Sequence, residues 1–83
     1  MTYFVYVLGS NKNSKFITYV GYTNNLSKRL YLHNKGRGAK FTKGRKWKII
    51  YIERYSTKKA AISREYYIKK NRKLRNIIRD MFI

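Results

Sequence analysis

Cysteine and proline are absent from this chain of 83 residues, and only three of its residues are acidic. Without cysteine, disulfides and thiolate metal sites are excluded, and a single histidine excludes a multi-histidine zinc cluster. Any metal ion must therefore be held by oxygen. No apolar run approaches the roughly eighteen residues of a membrane span, and no signal-like start is present, so we expect neither a membrane role nor secretion.

Positive charge is the most prominent feature of the composition. Lysine and arginine number 21 against three acidic residues, which gives a formal net charge of +18. Such a charge repels itself strongly, so we expect a polyanionic partner, DNA or RNA. Hydrophobic residues make up 43% and aromatic residues 17%, more than a disordered basic tail usually carries. The length suits one compact domain, predicted over residues 1–83 because no linker-like stretch interrupts the chain.

Apolar segments separated by turn formers, together with helix-capping residues, predict the order β-β-α-β-α-α. We expect an α/β fold with a three-stranded antiparallel sheet flanked by helices, in which the first two strands form a hairpin and residues 9–15 form its polar turn. The third helix should pack on the sheet through Leu74, Ile77, Ile78 and Met81, which recur at helical spacing. The predicted segments are Tyr3–Leu8, Phe16–Tyr22, Asn25–Asn34, Trp47–Glu53, Lys58–Lys70 and a last helix from Asn71.

Residues 35–46 carry three glycines and six cations in twelve positions. This stretch is too glycine-rich for a helix and too charged for a buried strand, so we predict a loop. Glycines let backbone N–H groups approach an anion, and lysine and arginine neutralise phosphates without reading sequence. We expect a loop that grips the nucleic-acid backbone; a flexible charged loop is the alternative. The residues predicted to bind nucleic acid, in this loop and at the end of the second helix, are Lys35, Arg37, Lys40, Lys43, Arg45, Lys46, Lys69 and Lys70.

Glu65 is the best candidate for a metal ligand among the three carboxylates. Cleaving a nucleic acid, as opposed to only binding it, usually needs a hard cation, and hard cations prefer carboxylate oxygen. Asp80 lies near a terminus and Glu53 ends a predicted strand, whereas Glu65 lies on the apolar side of the second helix. The alternative is that Glu65 simply pairs with one of the many neighbouring cations.

Arg29 and His33 lie four residues apart on the first helix and therefore share a face. Together they could contact one phosphate, with the arginine holding non-bridging oxygens and the histidine exchanging a proton with water. A solvated charge and a surface histidine are the alternative. Tyr6 and Tyr19 could meet side by side in the hairpin, and a nearby cation or metal would favour a phenolate able to take a proton from water. The alternative for any tyrosine is structural filling.

The series V-Y-V at Val5–Val7, Y-V-G at Tyr19–Gly21 and T-N-N-L-S-K-R-L ending at Leu30 resembles the GIY-YIG nuclease superfamily. The stretches H-N-K-G-R-G-A-K-F-T from residue 33 and R-E-Y-Y-I-K-K from residue 64 resemble its small stand-alone members. The match runs over nearly the whole chain and implies the same three-stranded sheet. The first triplet departs from the literal motif, with valine on both sides of its tyrosine.

The resemblance also implies functions for individual residues. Glu65 matches the carboxylate that holds a divalent metal, usually Mg²⁺ with Mn²⁺ as the alternative, and Gly21 matches the motif glycine, where the strand must leave room for backbone or substrate. Relatives often carry a late asparagine in the site. Asn71 and Asn76 are both candidates for this position, and the sequence does not decide between them. The other matches are Tyr6 and Tyr19 with the motif tyrosines, Arg29 with the arginine that steadies the scissile phosphate, and His33 with an active-site histidine or tyrosine.

These observations predict a metal-dependent endonuclease that hydrolyses DNA phosphodiester bonds. Whether it selects branched or nicked DNA stays open, as do RNA as a substrate, the oligomeric state and the choice of tyrosine as base. The alternative is a non-catalytic basic protein that keeps the fold and coats nucleic acid, and a toxin-like or viral accessory nuclease is a third reading. We expect a cytoplasmic location in a bacterium, or the DNA-containing compartment of a host for a viral protein.

Overall fold

A computed structural model describes the chain from Met1 to Ile83 as one sheet with helices. The predicted α/β fold and its order β-β-α-β-α-α are confirmed. The three antiparallel strands lie in the spatial order β2-β1-β3. The elements are β1 (Tyr3–Lys12), β2 (Lys15–Thr23), α1 (Leu26–Asn34), a 3₁₀ turn (Lys40–Thr42), β3 (Lys48–Tyr55), α2 (Lys58–Lys70) and α3 (Arg72–Phe82).

The hairpin between β1 and β2 is longer than the sequence predicts. Its pairing continues to Lys12 opposite Lys15, so the predicted polar turn over residues 9–15 is wrong for most of its length. Asn13 and Ser14 alone make the turn, with φ angles of 54° and 64°. Positive φ at both central residues gives the backbone twist that matches two paired strands, and asparagine tolerates it well. Polar residues at 9–12 therefore extend the strand.

The two faces of β1 are buried under different parts of the chain. Val5 and Val7 face a core completed by Ala61 and Ile68 of α2 and by Ile78 of α3. On the other face, Tyr6 and Leu8 pack with Trp47 and with residues of β2 and α1, including Leu26 and Leu30. This arrangement explains why β1 is apolar at every position from 5 to 8, as a strand covered on both sides should be.

Side-chain caps fix the helix starts. The Asn25 side chain accepts a hydrogen bond from the Lys28 N–H at 3.1 Å, and the Thr57 hydroxyl accepts one from the Ala60 N–H at 3.2 Å. Asn71 ends α2 and caps α3, where it accepts from the Leu74 N–H at 3.0 Å. These caps satisfy backbone donors that have no partner within the helix.

Helix α3 buries a narrower stripe than its spacing predicts. Ile78 is buried and Leu74 packs against the same core, but Ile77 is half-exposed and Met81 is mostly exposed. The physical reason is that α3 is the last element and packs mainly against α2 and β3. None of the helices has both the length and the apolar character that crossing a membrane requires.

Candidate active site

Tyr6 projects from the central strand across its neighbour Gly21. The two residues are directly paired between β1 and β2. A Cβ atom added at Gly21 would lie 2.3 Å from the Tyr6 hydroxyl oxygen and 2.5 Å from its Cζ atom. The space that the glycine leaves is therefore filled by the Tyr6 side chain, and not by backbone or substrate as the sequence suggested.

His33 is fully buried beneath this tyrosine, at the C-terminal end of α1. Its Nε2 atom lies 2.8 Å from the Tyr6 hydroxyl, and its Nδ1 atom lies 2.9 Å from the Thr42 hydroxyl. Both ring nitrogens are thus occupied by protein groups. The alternative of a surface histidine is wrong, because the side chain is fully buried.

The hydrogen-bond network assigns the protons of this buried chain. The Thr42 hydroxyl donates its single hydrogen to the Ala39 carbonyl at 3.0 Å, so towards His33 it can only accept. The Nδ1 atom of His33 therefore carries the hydrogen, and Nε2 offers a lone pair. Tyr6 consequently donates its hydroxyl hydrogen to Nε2, which leaves lone pairs of the phenolic oxygen for another donor.

Burial shifts the pKa values of both members of this pair. Burial raises the pKa of the Tyr6 phenol, the nearby Arg29 guanidinium opposes that rise, and Tyr19 and Glu65 add to it. Burial also lowers the pKa of His33, and the positive charge of Arg29 lowers it further. Near neutral pH the pair is therefore a neutral phenol beside a neutral imidazole.

Arg29 lies one helical turn before His33 and is tied to the same loop. Its Nη2 atom donates to the Gly38 carbonyl at 3.1 Å, which leaves other N–H groups of the guanidinium for a ligand. Gly38 also contacts the histidine, because a Cβ atom added there would lie 2.2 Å from His33 Nδ1. Gly38 therefore lets the loop close on Arg29 and His33 together.

Tyr19 and Tyr6 both lie beside His33. It is paired with Leu8, so the two tyrosines are not directly opposite one another as a side-by-side pair would be. The Tyr19 ring centroid lies 5.1 Å from that of His33 and 6.0 Å from that of Phe41. Both tyrosines thus border His33, but only the Tyr6 hydroxyl hydrogen-bonds to it.

Glu65 of α2 is a carboxylate whose charge acts on Tyr6. Its side chain is 17% exposed, and its Oε2 atom lies 3.4 Å from the Lys69 Nζ atom. Its charge reaches Tyr6, whose pKa it helps to raise. Glu65 therefore makes the cation pair that the sequence offered as an alternative, and its charge also acts on Tyr6.

The other two carboxylates are engaged elsewhere. Glu53 is bound by Arg64 at 2.8 and 3.0 Å and by the Tyr51 and Tyr55 hydroxyls. Asp80 pairs with its neighbour Arg79 at 3.1 Å. No three His, Asp or Glu side chains cluster as a metal site. One carboxylate nevertheless suits Mg²⁺, which usually keeps several waters and takes its remaining ligands from substrate phosphates.

The loop over residues 35–46 is charged, and hydrogen bonds with the buried Trp47 hold it in place. The Trp47 indole N–H donates to the Thr42 carbonyl at 2.9 Å, and the Trp47 backbone N–H donates to the Asn34 side chain at 2.6 Å. Arg45 is partly buried and bonds the Lys15 carbonyl at 3.5 Å, so the structure directs it to the hairpin. The predicted phosphate contacts that are exposed are Lys35, Arg37, Lys40, Lys43, Lys46, Lys69 and Lys70.

Neither late asparagine hydrogen-bonds to the residues around His33. Asn71 caps α3 and donates from its amide to the Tyr67 hydroxyl at 3.2 Å, while Asn76 is exposed on α3. Thr42, Gly38 and Phe41 border the site and were not selected from the sequence. Their place in the glycine-rich stretch after His33 is the one sequence signal for these three residues. It does not specify their contacts, because contacts across a loop depend on its conformation.

The sequence model described as the GIY-YIG catalytic domain matches residues 2–77. The chain belongs to the GIY-YIG family. A UPF0213 protein of Clostridium perfringens is 49% identical over 78 residues, covering 89% of this chain and 81% of that relative. The UPF0213 protein YazA of Bacillus subtilis is 48% identical over 69 residues, covering 82% of this chain and 67% of YazA.

A solved structure supports the same family assignment. The solution NMR structure of a UPF0213 protein from Bacillus halodurans matches with a TM-score of 0.53 and 29% identity, covering 98% of this chain and 85% of that protein. The GIY-YIG resemblance seen in the sequence is thereby confirmed. Membership gives the chain the catalytic domain of a nuclease family, for which nucleic acid is the substrate and a divalent metal the usual cofactor.

Proposed function

We propose that this protein is a divalent-metal-dependent endonuclease that hydrolyses DNA phosphodiester bonds. The observation that carries this proposal is the hydrogen bond between Tyr6 and the buried His33, in a pair on which the charges of Arg29 and Glu65 both act. This arrangement offers a proton acceptor, a cation for phosphate and a carboxylate for metal within one site. A DNA substrate implies the cytoplasm of a bacterium such as those that supply its relatives.

In this proposal Tyr6 is the base that receives a proton from the attacking water. As the water oxygen bonds to phosphorus, the water proton passes to the Tyr6 oxygen and the phenolic proton passes to His33 Nε2. The bond between phosphorus and the leaving sugar oxygen breaks, and that oxygen takes a proton from solvent. The low pKa of His33 keeps the imidazole neutral beforehand and releases the proton afterwards.

Arg29 would hold the non-bridging oxygens of the scissile phosphate. Its anchor on the Gly38 carbonyl fixes the guanidinium, and a preorganised cation stabilises the charge that grows in the transition state. Glu65 would hold Mg²⁺ or Mn²⁺, which when bound supplies Lewis-acid stabilisation of phosphate oxygen. Tyr19 would support the ring of His33 from its other side.

Phosphate contacts away from the reaction centre would come from exposed cations of the loop and of α2. Lysine and arginine at these positions bind the backbone without reading bases. The site therefore supplies no sequence discrimination of its own, and we propose that DNA structure selects the substrate. The contacts are Lys35, Arg37, Lys40, Lys43, Lys46, Lys69 and Lys70, all exposed.

A non-catalytic nucleic-acid-binding protein is the second candidate, favoured by the net charge of +18 and the small number of carboxylates. The two candidates differ in what Glu65 does. A binder should tolerate Glu65→Gln or bind more tightly, because a negative charge near phosphate is removed. A nuclease should lose turnover and keep its affinity for DNA.

The test is cleavage of labelled single-stranded, duplex, flap and four-way-junction DNA with Mg²⁺, Mn²⁺ or EDTA. Wild type is compared with Glu65→Gln and with Glu53→Gln, a matched change at a carboxylate bound by Arg64. We expect metal-dependent cutting that Glu65→Gln loses and Glu53→Gln keeps. Binding of every substrate without cutting by any of the three proteins would assign the binding function instead.

A further inference from the structure

Phe41 is an exposed aromatic residue held at the edge of the candidate active site. It lies in the 3₁₀ turn Lys40–Thr42 and is 59% exposed. Its ring stacks on Tyr19 with 6.0 Å between centroids and an interplanar angle of 23°, and Trp47 lies 6.4 Å away at a tilt of 40°. The ring is therefore supported from the protein side, while much of its surface remains in water.

A shallow hollow that Phe41 shares with Tyr19 and two cations lies beside this ring. The Lys69 Nζ atom lies 5.8 Å from the centroid of the Tyr19 ring. The hollow has a volume of about 240 Å³ and lies against the edge strand β2. Its lining combines aromatic rings with positive charge, and it consists of Thr18, Tyr19, Val20, Phe41, Lys69 and Arg75.

Two contacts connect Phe41 to the proposed reaction centre. Tyr19 lies between Phe41 and His33, with 5.1 Å between its centroid and that of the histidine. Thr42, the next residue in the chain, is fully buried and hydrogen-bonds to His33. The turn that carries Phe41 is thus fixed relative to His33, and a ligand on this ring would bind to a preorganised surface.

We propose that Phe41 is a stacking platform for an unpaired nucleobase next to the phosphate that is cut. This inference rests on the proposed function and deepens it by naming a substrate class, DNA with a single-stranded segment at the cleavage site. An aromatic ring flanked by cations binds single strands by stacking a base and neutralising its phosphates. A base inside a duplex has both faces covered by its neighbours, so it cannot stack on Phe41 without leaving the helix.

The chain offers a matched control on the opposite face of the sheet. Phe82 is 47% exposed and stacks on Phe16 with 6.1 Å between centroids and the same interplanar angle of 23°. It differs from Phe41 in having no contact with Tyr19 or His33. Phe82→Ala therefore removes an equivalent exposed, stacked ring that also has cations beside it, Lys46 and Lys48, but that does not contact Tyr19 or His33.

The experiment measures DNA affinity by fluorescence anisotropy in EDTA, in a Glu65→Gln background. The probes are a single strand of about 12 nucleotides, its duplex, and the strand with one abasic site at each position in turn. We expect Phe41→Ala to weaken single-strand binding about tenfold and Phe41→Tyr to preserve it, with duplex binding nearly unchanged. Phe82→Ala should match the background on both probes.

The abasic series guards against a folding defect in the variant. At one abasic position the Glu65→Gln protein should lose affinity for the strand. The same abasic site should cause no further loss of affinity when Phe41→Ala is also present, because the base and the ring are the two partners of one contact. The stacking proposal would be overturned if Phe41→Ala lost equal affinity for the single strand and the duplex, or lost none. It would also be overturned if Phe82→Ala lost as much single-strand affinity as Phe41→Ala. A background protein that binds no DNA would overturn the proposed function together with it.

Discussion

The Tyr6 hydroxyl lies 2.8 Å from the Nε2 atom of a histidine, His33, that has no exposed surface. Because Thr42 and Ala39 fix the proton on the other ring nitrogen, Tyr6 must donate to Nε2. The phenolic oxygen thus turns lone pairs to its remaining surroundings, where Arg29 and Glu65 also act on it. The buried imidazole thereby fixes the direction of the hydrogen bond that Tyr6 makes.

Thr42→Val should lower the cleavage rate about 10- to 100-fold with little change in DNA affinity. Valine has nearly the same shape but cannot accept the His33 Nδ1 hydrogen, so the imidazole is free to move that proton to Nε2 and reverse its bond with Tyr6. Single-turnover cleavage and DNA affinity measure the two effects. Thr42→Ser keeps the hydroxyl and should retain most of the rate; equal losses in both variants would contradict the tautomer assignment.

Gly21→Ala should abolish most cleavage because its Cβ atom would displace the Tyr6 hydroxyl, 2.3 Å away. The matched control is Gly9→Ala, whose Cβ atom would lie 2.5 Å from the Phe16 ring. Both changes overpack the same strand pair, and each should cost about 1–3 kcal/mol of unfolding free energy. Urea unfolding and cleavage rates together separate the two. Comparable loss of cleavage in Gly9→Ala would show that stability alone explains the effect.

His33 should make the folded protein sensitive to mild acid. Its pKa is lowered in the folded state, so above its ordinary value of about 6.5 the imidazole is neutral whether the chain is folded or unfolded. Below that value the unfolded chain takes up a proton that the folded chain resists, and the free energy of unfolding falls until the folded pKa is reached. Urea unfolding at several pH values should show this fall in wild type but not in His33→Gln. The same slope in both proteins would exclude His33 as its source.

Glu53 should stabilise the fold without serving cleavage. Arg64 and the hydroxyls of Tyr51 and Tyr55 bind its carboxylate and, against the effect of burial, hold its pKa below the usual range. Glu53→Gln should therefore cost about 2 kcal/mol of unfolding free energy, since hydrogen bonds to a charged group are lost. Chemical denaturation at neutral pH measures the loss, and exposed Asp80→Asn is the control that should change little.

The acid dependence of this cluster has a defined direction. Because the folded pKa of Glu53 is lowered, its stabilisation is present above the ordinary glutamate pKa of about 4.5. It is lost as the pH falls through the lowered folded value, well below the range in which His33 acts. A Glu53→Gln protein with wild-type stability at neutral pH would contradict the structural role.

Local signals were sufficient for the order of elements. The continuous apolar run of β1 and the polar side chains that cap α1 and α2 are local features of the sequence. The structure contains the strand and both caps, which are made by Asn25 and Thr57. The hairpin length was missed because it depends on two positive φ angles, at Asn13 and Ser14, that polar residues permit without requiring.

The candidate site was predictable as a set of residues but not as a network. The family motifs selected Tyr6, Arg29, His33 and Glu65, which the structure brings near one another. Burial of His33 and its bond to Thr42 depend on how a nine-residue span folds back on α1, and no spacing rule specifies that contact. The same loop conformation places Phe41 on Tyr19.

The most direct test of the central claim is single-turnover DNA cleavage by Tyr6→Phe with Mg²⁺. This change removes only the hydroxyl that bonds His33 and leaves the buried ring, and Tyr55→Phe is the matched loss of a hydroxyl bonded to Glu53. The account predicts a loss of at least about 100-fold in rate for Tyr6→Phe, with DNA affinity kept and Tyr55→Phe close to wild type. Cleavage by Tyr6→Phe at the wild-type rate would contradict the Tyr6–His33 mechanism.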